Sequence, residues 1–147
     1  MRGIIVLIFA VFLFSFNLFA EPLKTAETKD IINLAKSFKG KTVVVFWAPW
    51  CPHCMREMRM LRNSPDFIKK HNIQIIGITK PADERYAEST IKEEKFPFRF
   101  FTGSVALHKD MMKIDAVPYT KVYNSKGEAE DDEYGSQTLE DLELMIN

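Results

Sequence analysis

The chain has 147 residues, and its 20 Lys and Arg balance its 20 Asp and Glu to a formal net charge of zero. This balance supplies no broad basic surface and argues against a nucleic-acid partner. The length suits one compact domain plus a targeting segment. Two cysteines are too few for a disulfide scaffold, so the 46% of residues that are hydrophobic must form the core that holds the fold.

Residues 1–20 have the pattern of a targeting segment. Arg2 precedes a long apolar run that ends in Leu-Phe-Ala, which predicts a signal peptide cleaved after residue 20. Leu18 is large for a cleavage site, and residues 3–20 are long enough for a tilted spanning helix, so an uncleaved membrane anchor is the alternative. Both predictions place the domain, residues 21–147, in the periplasm or elsewhere outside the cytoplasm, where disulfide exchange has substrates.

The domain is predicted to begin with a lead-in, a helix and a buried strand. Residues 21–28 are polar and contain a proline, so they predict an irregular lead-in. Apolar residues recur at helical spacing over residues 30–38, and Gly40 is the expected C-terminal cap of that helix. The β-branched and apolar run over residues 42–46 predicts a buried strand.

Residues 47–54, Trp-Ala-Pro-Trp-Cys-Pro-His-Cys, hold both cysteines and predict a tight turn into a helix. Cys51 would start that helix, where unpaired N–H groups and the helix dipole favour a thiolate, the nucleophile of disulfide exchange. Pro52 fits the first helical turn, and Cys54 is close enough to form a disulfide with Cys51. The pattern predicts reversible dithiol–disulfide exchange. A structural disulfide or half of a metal site is the alternative, but the chain has no second cysteine pair to complete a zinc site.

The remaining sequence predicts alternating helices and strands. After the helix that follows Cys51, the predicted elements are a strand over 73–79, a surface helix over 83–95, an extended aromatic stretch over 96–101, a helix ending at Lys113, a strand over 120–123, a hairpin turn over 124–127, a partner strand over 128–134 and a terminal helix with Thr138 as N-cap.

These features resemble a thioredoxin-fold oxidoreductase over roughly residues 28–147. The Trp-Ala-Pro-Trp-Cys-X-X-Cys segment resembles the TlpA/ResA-like branch, whereas the inner Pro-His pair resembles DsbA-type oxidases. The resemblance implies an α/β fold with a central mixed β-sheet flanked by helices and a short TlpA-like insert. It also implies that Cys51 is the attacking thiol and Cys54 the resolving thiol, with no cofactor beyond their disulfide and no metal.

A second motif, Ala-Val-Pro-Tyr-Thr at residues 116–120, resembles the cis-proline loop of the same family. The resemblance implies a cis bond between Val117 and Pro118 that lies against the cysteine pair. The alternative is an ordinary trans proline at the start of a strand. In this family the backbone of the residue before the proline pairs with an extended substrate. Trp50, Val117 and Pro118 are therefore the expected substrate-binding residues.

The sequence departs from its relatives at one of two acidic positions. Thioredoxins carry a buried acid on the active-site strand, but that position is Val45 here, so the proton acceptor for Cys54 is missing, is supplied from elsewhere or is water. TlpA-like helices commonly carry a glutamate three residues after the second cysteine, and Glu57 matches it. For Glu57 a solvated side chain paired with a neighbouring arginine is nevertheless the favoured prediction.

The residues between the cysteines bear on the direction of electron flow. An imidazole at His53 would stabilise the Cys51 thiolate and make the disulfide a stronger oxidant. Reduction potentials in this fold span about 150 mV, or roughly 7 kcal/mol for two electrons, and thiolate pKa values of ~3.5 and ~7 account for about 4–5 kcal/mol of that. The predicted function is therefore oxidation of exported proteins.

Two other functions remain as alternatives. The first is a TlpA-like thiol reductase, for example in cytochrome c maturation. The second is a soft-metal chaperone that uses Cys51, His53 and Cys54. The expected partners are exported proteins with cysteine thiols or disulfides and a membrane redox protein, with the chain itself a monomer.

Overall fold

A computed structural model describes residues 22–147, so the predicted targeting segment over residues 1–20 lies outside the described residues. The strands are β1 (Lys24–Ala26), β2 (Lys41–Phe46), β3 (Ile73–Thr79), β4 (Arg99–Gly103), β5 (Tyr119–Tyr123) and β6 (Ala129–Tyr134). The helices are α1 (Thr28–Ser37), α2 (Pro52–Arg62), α3 (Pro65–Lys70), α4 (Glu84–Glu94), α5 (Val105–Met111) and α6 (Leu139–Ile146), and a short 3-10 helix (Pro81–Asp83) precedes α4.

The six strands form one mixed sheet in the order β1-β4-β3-β2-β5-β6. Strands β1, β4, β3 and β2 lie side by side and are parallel, whereas β5 is antiparallel to both β2 and β6. Strand β2 is therefore central and pairs on both sides. Cys51 follows its carboxyl end, where a helix start and the loop before β5 meet.

Helices cover both faces of the sheet, which explains the continuous apolar run in β2. Val43 and Val45 face one core cluster, and Val44 and Phe46 face the other. The first cluster includes Met58 and Leu61 of α2, Ala87 of α4 and Leu142 of α6. The second cluster includes Ile31 and Ala35 of α1 with Leu107 and Met111 of α5. The predicted α/β fold, a central mixed sheet flanked by helices, is confirmed.

The predicted irregular lead-in at residues 21–28 is wrong. Lys24–Ala26 forms an edge strand whose three residues pair in parallel with β4, so its conformation depends on a partner more than 70 residues away. Helix α1 begins earlier than predicted because the side chains of Glu27 and Asp30 form a capping box. The helix ends at Ser37, and the extended residue Phe38 is its C-cap, so Gly40 is not.

Two local predictions near the C-terminus are confirmed. The turn between β5 and β6 places Gly127 at a φ of +77°, where glycine is favoured. Thr138 caps α6, because its hydroxyl accepts a hydrogen bond from the Asp141 amide at 3.1 Å. Within residues 22–147, none of the helices has the length and apolar character needed to cross a membrane.

Candidate active site

Cys51 is the N-cap residue of α2. Its Sγ accepts a hydrogen bond from the backbone amide of Cys54 at 3.2 Å, and its own amide donates to the Ala48 carbonyl at 3.1 Å. Pro52 occupies the first helical turn as predicted. The Cys54 amide belongs to the first turn of α2 and has no carbonyl partner within the helix, so it points at the Cys51 sulfur and favours negative charge on that sulfur. The prediction that Cys51 starts the helix is confirmed.

The two thiols differ in their access to solvent. Both cysteines are free thiols; Cys51 retains 5% exposure, whereas Cys54 is fully buried. Burial raises the pKa of the Cys54 thiol far above its ordinary value, and the hydrogen bond and charge of Cys51 and the charge of Glu57 raise it further. Cys54 is therefore held as a neutral thiol unless a base removes its proton.

Glu57 is not solvated, so the favoured prediction for it is wrong. Its side chain is completely buried. One carboxyl oxygen accepts a hydrogen bond from the Thr120 hydroxyl at 2.9 Å, and the other accepts one from the Gln137 amide at 3.1 Å. Desolvation raises the pKa of Glu57 to about 7, although both hydrogen bonds act to lower it. A group with that pKa can exchange a proton near neutral pH.

The Glu57 carboxyl lies on the sheet face that the active-site strand presents to α2. Val45 is directly opposite Thr120 in the antiparallel pair of β2 and β5, so the two side chains share that face. The Thr120 hydroxyl is also the donor to Glu57. Helix α2 thus brings an acid beside the strand position where thioredoxins carry theirs. Since Glu57 follows Cys54 by three residues, the two side chains lie on one side of the helix.

The loop between α5 and β5, residues 112–118, is called the proline loop below. Its Val117–Pro118 bond is cis, as the resemblance implied. The Val117 carbonyl lies 3.8 Å from Cys51 Sγ and accepts a hydrogen bond from that thiol. The loop therefore lies against the nucleophilic sulfur, as predicted. Its placement leaves the substrate-binding roles of Val117 and Pro118 as predictions.

Trp50 and His53 lie on the exposed side of the motif. Trp50 is 60% exposed, and its indole N–H donates to Asp83 at 2.9 Å. His53 is exposed in the first turn of α2. Its predicted effect on the Cys51 thiolate remains a prediction. Among residues 22–147, no three His, Cys, Asp or Glu side chains lie close enough together to hold a metal ion.

A helix-capping cysteine, a buried second cysteine and a cis-proline loop on this sheet define the class of thioredoxin-fold thiol–disulfide oxidoreductases. The sequence matches the Redoxin family over residues 16–140, so the chain belongs to the Redoxin family.

The relatives agree with that class. The chain is 27% identical to the sporulation thiol-disulfide oxidoreductase A of Bacillus subtilis over 82% of its own length and 73% of the relative's. It is 29% identical to the thiol-disulfide oxidoreductase ResA of Oceanobacillus iheyensis over 74% of its own length, but spans only 57% of that relative. The crystal structure of StoA from Bacillus subtilis superposes with a TM-score of 0.62 at 24% identity, over 75% of this chain and 84% of that one. The predicted resemblance to the ResA-like branch is confirmed.

Proposed function

We propose that this protein acts outside the cytoplasm as a thiol–disulfide oxidoreductase that donates the Cys51–Cys54 disulfide to exported proteins. The observation that carries the proposal is the placement of Cys51 Sγ, 3.2 Å from a helix amide and 3.8 Å from the Val117 carbonyl. The first contact favours the thiolate, and the second puts that sulfur beside a backbone that can pair with an extended chain.

In the oxidising direction, a substrate thiolate attacks Cys51 Sγ of the disulfide. The bond between Cys51 and Cys54 breaks, a mixed disulfide forms on Cys51, and Cys54 leaves with the electron pair. A second substrate thiolate then attacks the substrate sulfur of that mixed disulfide and releases Cys51. The substrate loses two electrons and two protons as its disulfide forms, and the protein gains the two electrons as a dithiol.

Glu57 is the proposed proton donor and acceptor for Cys54. The Cys54 thiolate that leaves the disulfide is buried and must be neutralised, and Glu57 lies one helical turn away with a pKa near 7. In the reverse direction, the Glu57 carboxylate takes the proton before Cys54 attacks the mixed disulfide. Glu57 thus supplies the function that Val45 cannot.

The proposed oxidising direction rests on Pro52 and His53 between the cysteines. An imidazole at the start of α2 adds to the helix dipole in stabilising the Cys51 thiolate, and a stabilised thiolate favours the reduced protein. The disulfide would therefore pass readily to substrates and would be restored by a membrane redox protein. A monomer without a further cofactor suffices, because the electrons reside on the two sulfurs.

A TlpA-like reductase is the second candidate. The resemblance to the TlpA-like branch, whose members are often reductants, favours it, and the same two sulfurs and the same carboxyl serve both directions. In that function a membrane thiol transporter would supply electrons, and the protein would reduce disulfides of exported proteins.

The reduction potential distinguishes the two directions. The purified domain is equilibrated with glutathione buffers, and the free thiols are counted by mass after alkylation. A potential near that of the strong oxidants of this fold, about −120 mV, supports the oxidase, whereas one near −270 mV supports the reductase. The proposal of disulfide exchange itself fails if the protein neither oxidises a reduced unfolded protein nor reduces a disulfide. One tight copper or zinc equivalent bound without exchange activity would instead indicate the soft-metal chaperone.

A further inference from the structure

The proline loop is tied to the edge of the sheet by a small polar network outside the cysteine site. Tyr119, directly after Pro118, is 1% exposed, and its hydroxyl donates a hydrogen bond to the carboxylate of Asp132 on β6. Lys113, in the proline loop, donates from Nζ to the other oxygen of Asp132 at 2.6 Å. The Lys113 backbone amide also donates to the Tyr119 hydroxyl at 3.4 Å. One carboxylate thus holds both ends of the loop.

We infer that Asp132 is a positioning residue that sets the Val117 carbonyl against Cys51 for pairing with a substrate backbone. The proline loop has no helix or strand of its own, so contacts to the rest of the fold determine its position. Val117 packs against both core clusters, and the Pro118 carbonyl accepts a hydrogen bond from the Gly135 amide at 2.9 Å. On the other side, the ammonium of Lys80, directly after β3, lies 2.7 Å from Asp115. Both ion pairs have an exposed member, but Asp132 is only 16% exposed and also accepts from the hydroxyl of the buried Tyr119, so the Lys80–Asp115 pair is the weaker constraint.

The Cys51 to Val117 contact tolerates little movement. Its 3.8 Å separation is already long for a hydrogen bond from a thiol, so a shift of the loop by about 1 Å would remove it. Such a shift would leave Cys51 in place, because the sulfur is held by α2 through the Cys54 amide. Loss of the network should therefore weaken the binding of an extended peptide strongly, while the reactivity of the thiol changes only by the loss of one long hydrogen bond.

The inference depends on the proposed function, since it assigns a means of holding the substrate of that same site. It is tested in the direction of that function, with the oxidised protein in single turnovers with a ten-residue peptide that contains two cysteine thiols, and the reduced protein serves for the thiol control. The dependence of the rate on peptide concentration gives a half-saturating concentration and a limiting rate. The rate at which iodoacetamide alkylates Cys51 is measured alongside, because this small reagent needs no backbone pairing.

Asp132→Asn keeps the shape of the side chain and removes the negative charge to which Lys113 and Tyr119 both donate hydrogen bonds. The expected result is a half-saturating concentration raised roughly tenfold, the effect of losing one ordinary hydrogen bond of about 1.4 kcal/mol. The limiting rate and the alkylation rate should change much less than the half-saturating concentration. Tyr119→Phe retains the buried ring and should act in the same direction, which keeps the test available if Asp132→Asn fails to fold.

Glu130→Gln is the matched control. Glu130 lies on the same strand and pairs with Lys41 at the end of β6 away from the proline loop, so its loss should leave peptide binding unchanged. Equal peptide binding in Asp132→Asn and the unmodified protein would overturn the inference. An equal change in alkylation and in peptide exchange would overturn it too, because Asp132 would then act on the thiol or on general stability. If the unmodified protein does not exchange with the peptide at all, the proposed function fails first.

Discussion

Burial of the Glu57 carboxyl should make the stability of this protein fall as the pH rises through neutrality. Its pKa is 4.5 when unperturbed and about 7 in the folded state. Between these values the unfolded chain releases the proton while the folded chain keeps it, so the folded state binds more protons and loses stability with rising pH. The contribution is fully present below pH 4.5 and is lost as the pH passes 7.

The size of this effect follows from the same two pKa values. Each pH unit over which the folded state alone holds the proton costs 1.36 kcal/mol, so the total is roughly 3 kcal/mol. With a urea m-value of about 2 kcal/mol/M, the unfolding midpoint should fall by about 1.5 M.

Glu57→Gln isolates this contribution. The glutamine side chain has the same shape as the glutamic acid. Its oxygen can accept from the backbone amide of Gln137, and its NH₂ group can donate to the Thr120 hydroxyl, which then accepts instead of donating. Urea unfolding of both reduced proteins is followed from pH 4 to pH 8. The free energy of unfolding of the variant, relative to that of the unmodified protein, is expected to rise by roughly 3 kcal/mol across that interval. Glu93→Gln, on the exposed side of α4, serves as the control for a general loss of negative charge. A difference between Glu57→Gln and the unmodified protein that stays constant with pH would refute the reasoning.

Three further outcomes are expected at the site. Iodoacetamide should modify Cys51 well before Cys54, because only the former retains exposure, and Cys54→Ser should trap mixed disulfides; faster modification of Cys54 would contradict the assigned roles. His53→Ala should lower the reduction potential by about 30 mV, or ~1.4 kcal/mol for two electrons, because it removes a stabiliser of the thiolate and so destabilises the reduced form; an unchanged potential and thiol pKa would favour the reductase. Trp50→Ala should raise the peptide concentration for half-saturation several-fold with no change in alkylation, since Trp50 directly precedes Cys51 and its indole is 60% exposed; equal peptide affinity would remove it from the substrate site.

The cysteine motif could be predicted because local sequence determines its conformation, whereas the cis bond of the proline loop was predicted only from the family resemblance. A β-branched run ahead of a cysteine and a proline encodes strand, turn and helix over residues 42–54, and the structure places each as expected. The hairpin at Gly127 depends likewise on a residue that tolerates positive φ. The predictions for the motif and the hairpin needed only neighbouring residues.

The misses involve partners that are distant in sequence. Strand β1 carries no strand pattern of its own and exists because β4 offers it an edge. Glu57 stands in a helix with three arginines and so resembled a surface residue, yet its two hydrogen-bond donors come from positions 63 and 80 residues away. A helical signal was nevertheless present. Glu57 lies between Cys54 and Met58 on the side of α2 that continues to Leu61, and all four of these side chains are buried.

Because Glu57 belongs to helix α2, its position relative to Cys54 is fixed differently from that of an acid on strand β2. An acid on β2 would keep its place relative to the sheet, whereas Glu57 keeps its place relative to Cys54, because both belong to α2. Any small movement of the helix on changing redox state would carry the Cys54 sulfur and its proposed proton acceptor together. What such a movement would alter is the pair of hydrogen bonds from Thr120 and Gln137, both of which lower the pKa of the carboxyl. Weakening either bond would raise that pKa and favour proton retention, so the sheet and the segment before α6 control the basicity of Glu57 while the helix controls its aim at Cys54.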